Sequence, residues 1–294
     1  MFLARPPGDP VRRFEFVDAV DLGRPRTEKW VVMASTQYGC ACSCRICDAG
    51  NFGYHGNLDA DTILAQIEAA VSLNPETPPQ SARMFKVHFA RMGEPSLNPA
   101  VLEAMRRLAA DARFTTFVPS ISTVAPACAV SSSFFSELKK LKDEHFKGGR
   151  FQLQFSLLST DKEARDALIP IKKWGFSEIS EFGQSWVRPG DRRVTLNFAL
   201  ASEIPFDPAE VGRLFSPEAF LVKITPVNPT RRADRNKLTT VWYEPPPRIA
   251  GYEAELKRLG FQVILNASWP QEIEGKASCG QLAEETLRGE AQFG

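Results

Sequence analysis

Short apolar segments alternate with amphipathic ones along most of this chain, and that alternation constrains its fold more tightly than any other feature. Residues 29–36 read as a strand. Residues 59–71 read as a helix capped by Asp59 or Asp61, with Ile63, Leu64, Ile67 and Val71 on one face. Residues 85–89 form a second strand. Asn98 then caps a helix that has Pro99 in its first position and turns Val101, Leu102, Met105 and Leu108 inward. The pattern continues with strands at 114–121, 151–156, 194–200, 221–225 and 261–265, and with helices at 132–141, 161–168, 210–215 and 251–259. Strand–helix alternation of this kind predicts a parallel sheet. Six or more such units predict an α/β fold of the partial (β/α)6-barrel type. Residues 1–29 are rich in Arg and Pro and show little periodicity. They read as an irregular N-terminal extension before a barrel domain at 30–294, which ends in a short C-terminal segment.

Two strands show which face of the sheet is polar. Phe151, Leu153 and Phe155 alternate with Gln152, Gln154 and Ser156; Val194, Leu196, Phe198 and Leu200 alternate with Thr195, Asn197 and Ala199. A parallel strand buried on both faces is nearly all apolar. A polar face suits a barrel whose helices cover the apolar side and whose lumen holds a ligand; a sheet with one face in water is the alternative. The 294 residues, 43% hydrophobic and 24% charged, suffice for one large unit. A net charge of +1 gives no general basic field for a polyanion. Arg231, Arg232, Arg235 and Lys237 form one local basic stretch, which reads either as a patch or as a solvated loop. No run approaches the roughly 18 apolar residues of a membrane span. Residues 1–10 lack the apolar core of a signal peptide, so a cytoplasmic protein without a membrane partner is expected.

Four of the six cysteines, Cys40, Cys42, Cys44 and Cys47, fall within eight residues directly after the first strand. Clustered thiols in a cytosolic chain favour metal over a disulfide framework. Thiolates are the ligands of iron–sulfur clusters. Cys40, Cys44 and Cys47 lie on a loop short enough to wrap one cubane, and three protein ligands leave the fourth iron open to a small molecule. Cys42 is an additional thiol. A zinc site that uses Cys42 with Cys47, or all four cysteines, is the competing reading.

The Cys40, Cys44, Cys47 spacing after the first strand of a parallel barrel resembles the radical S-adenosylmethionine superfamily. Further motifs follow in chain order: Ser35-Thr36-Gln37-Tyr38-Gly39-Cys40; Gly53, Asn57 and Leu58; Met92-Gly93-Glu94-Pro95 with Leu97-Asn98; Ser122-Thr123; Ser156-Leu157 with Arg165-Asp166 and Pro170-Ile171; Pro226-Val227-Asn228-Pro229; and Ala277-Ser278-Cys279-Gly280-Gln281-Leu282. Each is modest alone. As an ordered set over about residues 30–285 they resemble the class A (RlmN/Cfr-like) radical methylases, which modify adenosine in RNA.

The resemblance implies a 4Fe–4S cluster on Cys40, Cys44 and Cys47 whose open iron binds S-adenosylmethionine and whose electron releases a 5′-deoxyadenosyl radical. It implies that the Gly93 and Glu94 backbone accepts hydrogen bonds from the ammonium group of S-adenosylmethionine. Ser122 and Thr123 are implied for its carboxylate, Ser156 for its ribose and Asn228 for its adenosine part. Cys279 is implied as the methyl carrier: one S-adenosylmethionine methylates it, and the radical from a second takes hydrogen from the new S-methyl group. The methylene radical then adds to an sp² carbon of the substrate.

Several positions depart from the family pattern. Ile46 stands where many members have an aromatic residue. Met33 stands seven residues before Cys40, where the family has a second cysteine that helps release the product; Cys42 or Cys128 is a substitute, although Cys128 reads as a buried small hydrophobe. Arg91 replaces a family glycine and reads either as a contact for an anionic substrate or as half of a salt bridge. Only about 29 residues precede the first strand, where the RNA methylases carry a helical RNA-binding domain. With the near-zero net charge, this points to a small-molecule substrate: a heteroaromatic natural product, a nucleoside or a peptide side chain. A flavodoxin- or ferredoxin-type electron donor and a monomeric chain are expected. The alternatives are an RNA or tRNA adenosine methylase that binds through its barrel loops alone, a radical enzyme of another outcome such as cyclisation or methylene transfer, and a zinc-binding structural protein.

Overall fold

The computed structural model describes residues 1–9, 11–19, 23–275 and 278–293. The chain opens with strands β1 (Phe2–Ala4) and β2 (Phe14–Ala19), then runs into β3 (Trp30–Ala34). A small hairpin of β4 (Gln37–Gly39) and β5 (Tyr54–Asn57) brackets the cysteine loop. The repeating units follow as α1 (Ala60–Ser72), β6 (Phe85–Phe89), α2 (Ala100–Ala110), β7 (Phe117–Thr123), α3 (Ala129–His145), β8 (Gln152–Ser156), α4 (Lys162–Leu168), α5 (Phe176–Trp186), β9 (Val194–Leu200), α6 (Pro208–Leu214) and β10 (Phe220–Pro226). The chain ends with α7 (Arg231–Arg235), α8 (Pro247–Arg258), β11 (Val263–Leu265), α9 (Pro270–Glu274) and α10 (Gln281–Phe293).

The main sheet has the order β1-β2-β3-β6-β7-β8-β9-β10-β11. From β3 to β11 every pairing is parallel, whereas β1 and β2 join antiparallel at one edge. This is the expected α/β partial barrel, with one correction. The first 29 residues are not an irregular lead-in, because β2 pairs with β3 through Val17 opposite Met33 and carries β1 with it.

The alternation read in the sequence sorts the two faces as expected. Leu153 and Phe155 of β8 are buried on the helix side, where Phe155 and Phe182 of α5 both pack on Phe135 of α3. Trp30, Val32, Phe85, Val87, Phe198, Phe220 and Val222 are all fully buried. Burying a side chain of this size stabilises by roughly 1.5–3 kcal/mol. The opposite face lines a polar lumen, where Lys86 Nζ donates to Gln152 Oε1 at 2.9 Å and His88 Nε2 lies 2.8 Å from Ser122 Oγ. Among the described residues no helix is long and apolar enough to cross a membrane.

Candidate active site

The cysteine loop leaves β4 and returns through a 3₁₀ turn at Asp48–Phe52 to β5. Cys40 N donates to Gly53 O at 2.8 Å, which closes the loop at its base. Neighbouring segments fix its tip. Arg45 N donates to Leu168 O at 2.9 Å, and Thr230 Oγ1 donates to Ile46 O at 2.9 Å. The buried Asp48 carboxylate accepts the amides of Arg231 (3.1 Å) and Arg232 (2.9 Å), so it caps α7 from outside.

The basic stretch is therefore neither a free patch nor a solvated loop. Arg231 pairs with Glu285 at 2.5 Å, Arg232 Nη2 donates to Ser43 O at 2.9 Å, and Arg235 Nη2 donates to Asn51 Oδ1 at 2.9 Å. Arg232 and Arg235 hold the cysteine loop in place, and Arg231 ties α7 to α10.

Cys40, Cys44 and Cys47 are partly buried, whereas Cys42 is only 2% exposed and packs into the hydrophobic core. A hydrogen bond from the Cys42 thiol, and others from the backbone N–H groups of Cys42 and Gly93, hold the Cys40 thiol below its usual pKa. Burial and the neighbouring Cys40 push the Cys44 thiol well up. The Cys47 thiol is also pushed up, first by its hydrogen bond to Cys279 and then by burial. Thiols penalised in this way ionise together only around a compensating cation, which is the donor chemistry of a bound metal cluster. Among the described residues no three His, Cys, Asp or Glu side chains converge on a point where one metal ion could sit.

The family motifs meet around the loop, and several of them serve as scaffold. Gln37 Oε1 accepts the amides of Ala41 (3.4 Å) and Glu94 (3.1 Å), while Gln37 Nε2 donates to Asn57 Oδ1 at 2.9 Å. Asn57 Nδ2 donates to Leu97 O at 2.9 Å. Asn98 Nδ2 donates to Thr36 O (2.7 Å) and Leu58 O (2.8 Å). Gly93 has a φ of +101°, and a Cβ there would lie 2.7 Å from Gln37 N. Only glycine lets the two loops touch.

The implied ligand-binding residues are placed unequally. Gly93 and Glu94 sit at the C-terminal end of β6, directly against the loop, and the Glu94 carbonyl accepts from Leu97 N at 3.1 Å. The Glu94 side chain is buried, and burial pushes its pKa up. It accepts from Ser96 N (3.0 Å), Ser96 Oγ (2.7 Å), Thr123 Oγ1 (2.5 Å) and Val124 N (2.9 Å). Thr123 is thereby turned to Glu94. Ser122 faces the lumen against His88, Ser156 ends β8 opposite Asn197 of β9, and Asn228 is partly buried just past β10.

Cys279 comes to the cysteine loop from 232 residues away, with Cys47 Sγ 3.7 Å from the Cys279 carbonyl. Its own thiol donates to Ala90 O at 3.3 Å. The Cys279 thiol is lowered to about 7, first by the hydrogen bond with Cys47 and then by the Arg91 guanidinium. Ser278 N donates to Gln281 Oε1 at 3.0 Å, half of a capping box at the start of α10. Gln281 Nε2 reaches Pro229 O at 2.8 Å. Gly280 has a φ of +85°, and a Cβ there would lie 2.2 Å from Ala49 N, so α10 starts in direct contact with the loop. Ala277, the first residue of this motif, lies outside the described residues.

Arg91 resolves as a salt bridge: its Nη2 is 2.8 Å from Glu15 Oε2, with both side chains almost fully buried. Sequence reasoning missed Glu15, because nothing local links an acid on β2 to an arginine after β6. Met33 is paired with His88 and shares the lumen face of the sheet. Cys128 corrects the expectation of burial. It is exposed, because it is the N-cap of α3, where the chain enters the helix from the surface. A cleft of about 860 Å³ between Thr160, Ser202, Glu203, Arg248 and Tyr252 includes no residue of the cysteine loop.

No family model matches the chain. A Mycobacterium marinum protein named "Probable dual-specificity RNA methyltransferase RlmN" is 31% identical over 272 residues, covering 86% of this chain and 67% of that protein. The protein of the same name from Gloeobacter violaceus is 28% identical over 282 residues, covering 92% of this chain and 72% of its own length. The crystal structure of a radical SAM methyltransferase from Sphaerobacter thermophilus matches with a TM-score of 0.68 at 23% identity, over 92% of this chain and 73% of that one. Spore photoproduct lyase complexed with dinucleoside spore photoproduct matches with a TM-score of 0.53 at 12% identity, over 86% and 78%. At those identities the two structures share the fold alone.

Proposed function

This chain belongs to the RlmN-type radical S-adenosylmethionine methyltransferases, and on that premise we propose that it methylates an sp² carbon through a methyl group carried on Cys279. Its cofactors are a 4Fe–4S cluster and S-adenosylmethionine. The observation that carries the reading is the placement of Cys279 against Cys47. Cys40, Cys44 and Cys47 are assigned to the cluster, which supplies the electron that splits S-adenosylmethionine.

The Cys279 thiolate takes a methyl group from one S-adenosylmethionine. An S–CH3 bond forms as the sulfonium carbon–sulfur bond breaks, and its electron pair leaves with S-adenosylhomocysteine. The S-methyl group would then lose a hydrogen atom to the 5′-deoxyadenosyl radical from a second molecule, and the methylene radical would add to the acceptor carbon. Release requires loss of the proton from that carbon, cleavage of the Cys279 sulfur–carbon bond with protonation of the freed methylene, and one electron from a flavodoxin- or ferredoxin-type donor to reduce the Cys279 thiyl radical left behind. Met33 supplies no thiol for product release. The titratable side chain beside it is His88, held neutral by burial and by Lys86 and Lys223.

The acceptor is assigned as a small heteroaromatic molecule, a nucleoside or a peptide side chain. Two observations support this: the net charge is +1, and Arg231, Arg232 and Arg235 are already engaged with the chain itself. The second reading is RNA, favoured by the names of the relatives.

Binding of reconstituted enzyme to ribosomal and transfer RNA across 50–200 mM salt separates the two. Phosphate contacts make log affinity fall steeply with log salt, with a slope near −0.7 per phosphate neutralised on single strands. The small-molecule reading expects weak binding and no methyl label in RNA. Tight binding with a steep slope, and label in an adenosine, would establish the RNA reading.

A further inference from the structure

Glu15 lies on the antiparallel strand β2, yet its carboxylate reaches the start of α10. Oε2 accepts the Gly280 amide at 3.0 Å and Oε1 accepts the Ala283 amide at 2.8 Å. Both amides lie at the helix N-terminus, where N–H groups lack partners within the helix and the dipole favours an anion. The same Oε2 is 2.8 Å from Arg91 Nη2. Arg91 Nη2 in turn donates to Ser278 O at 3.1 Å, and Arg91 Nη1 is 4.0 Å from Cys279 Sγ. Glu15 thus grips the amide side of the Cys279 segment, and Arg91 grips the carbonyl before it and the sulfur itself. The two side chains are 0% and 2% exposed, so the pair is shielded from salt and held in one geometry. The three segments joined in this way are far apart in sequence: the antiparallel strand β2, the segment just past β6 and the start of α10.

We propose that the Glu15–Arg91 ion pair is a positioning device that fixes the Cys279 sulfur over the cysteine loop, so that it attacks the methyl group of S-adenosylmethionine in line. The proposal rests on the reading of Cys279 as the methyl carrier. In-line attack needs the reacting atoms about 3–3.5 Å apart and aligned, and a shift of about 1 Å costs about a hundredfold in rate. A sulfur on a terminal helix has no such alignment unless something anchors the helix start. Neither residue touches the reacting carbon; Glu15 acts through the backbone amides of Gly280 and Ala283, and Arg91 through the Ser278 carbonyl and its contact with the Cys279 sulfur.

The test uses full-length reconstituted enzyme as wild type, Glu15→Gln, Arg91→Met and the double variant. Each is given S-adenosylmethionine with a deuterated methyl group, and label on the Cys279 peptide is followed by mass spectrometry. Cluster iron and the melting temperature are measured on the same samples. A single substitution leaves one buried charge unpaired, so its melting temperature falls. Removing both charges restores much of it, because a buried ion pair replaced by neutral groups is often close to neutral in stability.

The expected result is a double variant with near wild-type iron and melting temperature, and Cys279 labelling at least tenfold slower. Gln in place of Glu15 can accept from only one of the two amides. Labelling at the wild-type rate in the double variant would overturn the positioning role, because stability alone would then account for the pair. An unlabelled Cys279 in the wild type would overturn the carrier reading and, with it, the task assigned to the pair; that outcome is recognised before any variant is compared.

Discussion

Cys42 and Cys44 are two residues apart, and the fold gives them opposite environments. Cys44 is partly exposed among the loop thiols, whereas Cys42 is driven into the core with its backbone amide 3.5 Å from Cys40 Sγ. Cys44→Ala is therefore expected to abolish the brown cluster absorbance and most of the iron. Cys42→Ala is expected to keep wild-type iron and lose about 1 kcal/mol of stability, the cost of a small core cavity. Metal analysis with thermal unfolding checks both, and loss of iron in Cys42→Ala would make Cys42 a ligand. At this scale the sequence singled out Cys40, Cys44, Cys47 and Cys279 as candidates, and the fold brings Cys279 against Cys47. The sequence was not legible where a side chain's task depends on a distant partner. Arg91 reads either way until Glu15 arrives from β2, and Thr123 looks free until Glu94 turns toward it.

Strands and helices with clean periodicity were readable to within a few residues, and β9 over Val194–Leu200 was readable end to end. The missed elements have physical causes. In β2, Phe14, Glu15 and Phe16 are all buried, because the charge of Glu15 is compensated by Arg91; the in–out alternation that marks a strand is therefore lost. Helix α5 carries Gly183 in its interior, which weakens its helical signal. Hairpin β4–β5 is too short for periodicity to show. Helix α10 was not read in the sequence, although Ser278 and Gln281 stand at capping-box spacing before it, and its role depends on contact with the loop. Gly280→Ala tests that contact. A positive φ and a Cβ at 2.2 Å from Ala49 N are expected to cost roughly 1–3 kcal/mol and to slow Cys279 labelling more than tenfold while iron stays bound. Unchanged labelling would show that α10 does not need its seat on the loop.

Across the whole molecule, the sheet that places the loop at one end of its parallel strands also creates a cationic lumen. Burial first, and then Lys223, Lys29 and Arg192, bring the Lys86 pKa down to about 7. A lysine lowered in the folded state takes up its proton later than in the unfolded chain as pH falls. Stability therefore rises between about pH 7 and pH 10, where the unfolded state binds more protons. Lys86→Met is expected to flatten that rise in chemical denaturation curves, and an unchanged slope would place the titration elsewhere. The fold class was legible from strand–helix alternation alone, whereas the convergence of β2, the cysteine loop and α10 required the folded chain. The central claim, that Cys279 carries the methyl group, is tested most directly by mass spectrometry of its peptide after turnover of reconstituted wild-type enzyme with deuterated-methyl S-adenosylmethionine. The account predicts a labelled methyl or methylene on Cys279; an unmodified Cys279 alongside freshly formed 5′-deoxyadenosine would contradict it.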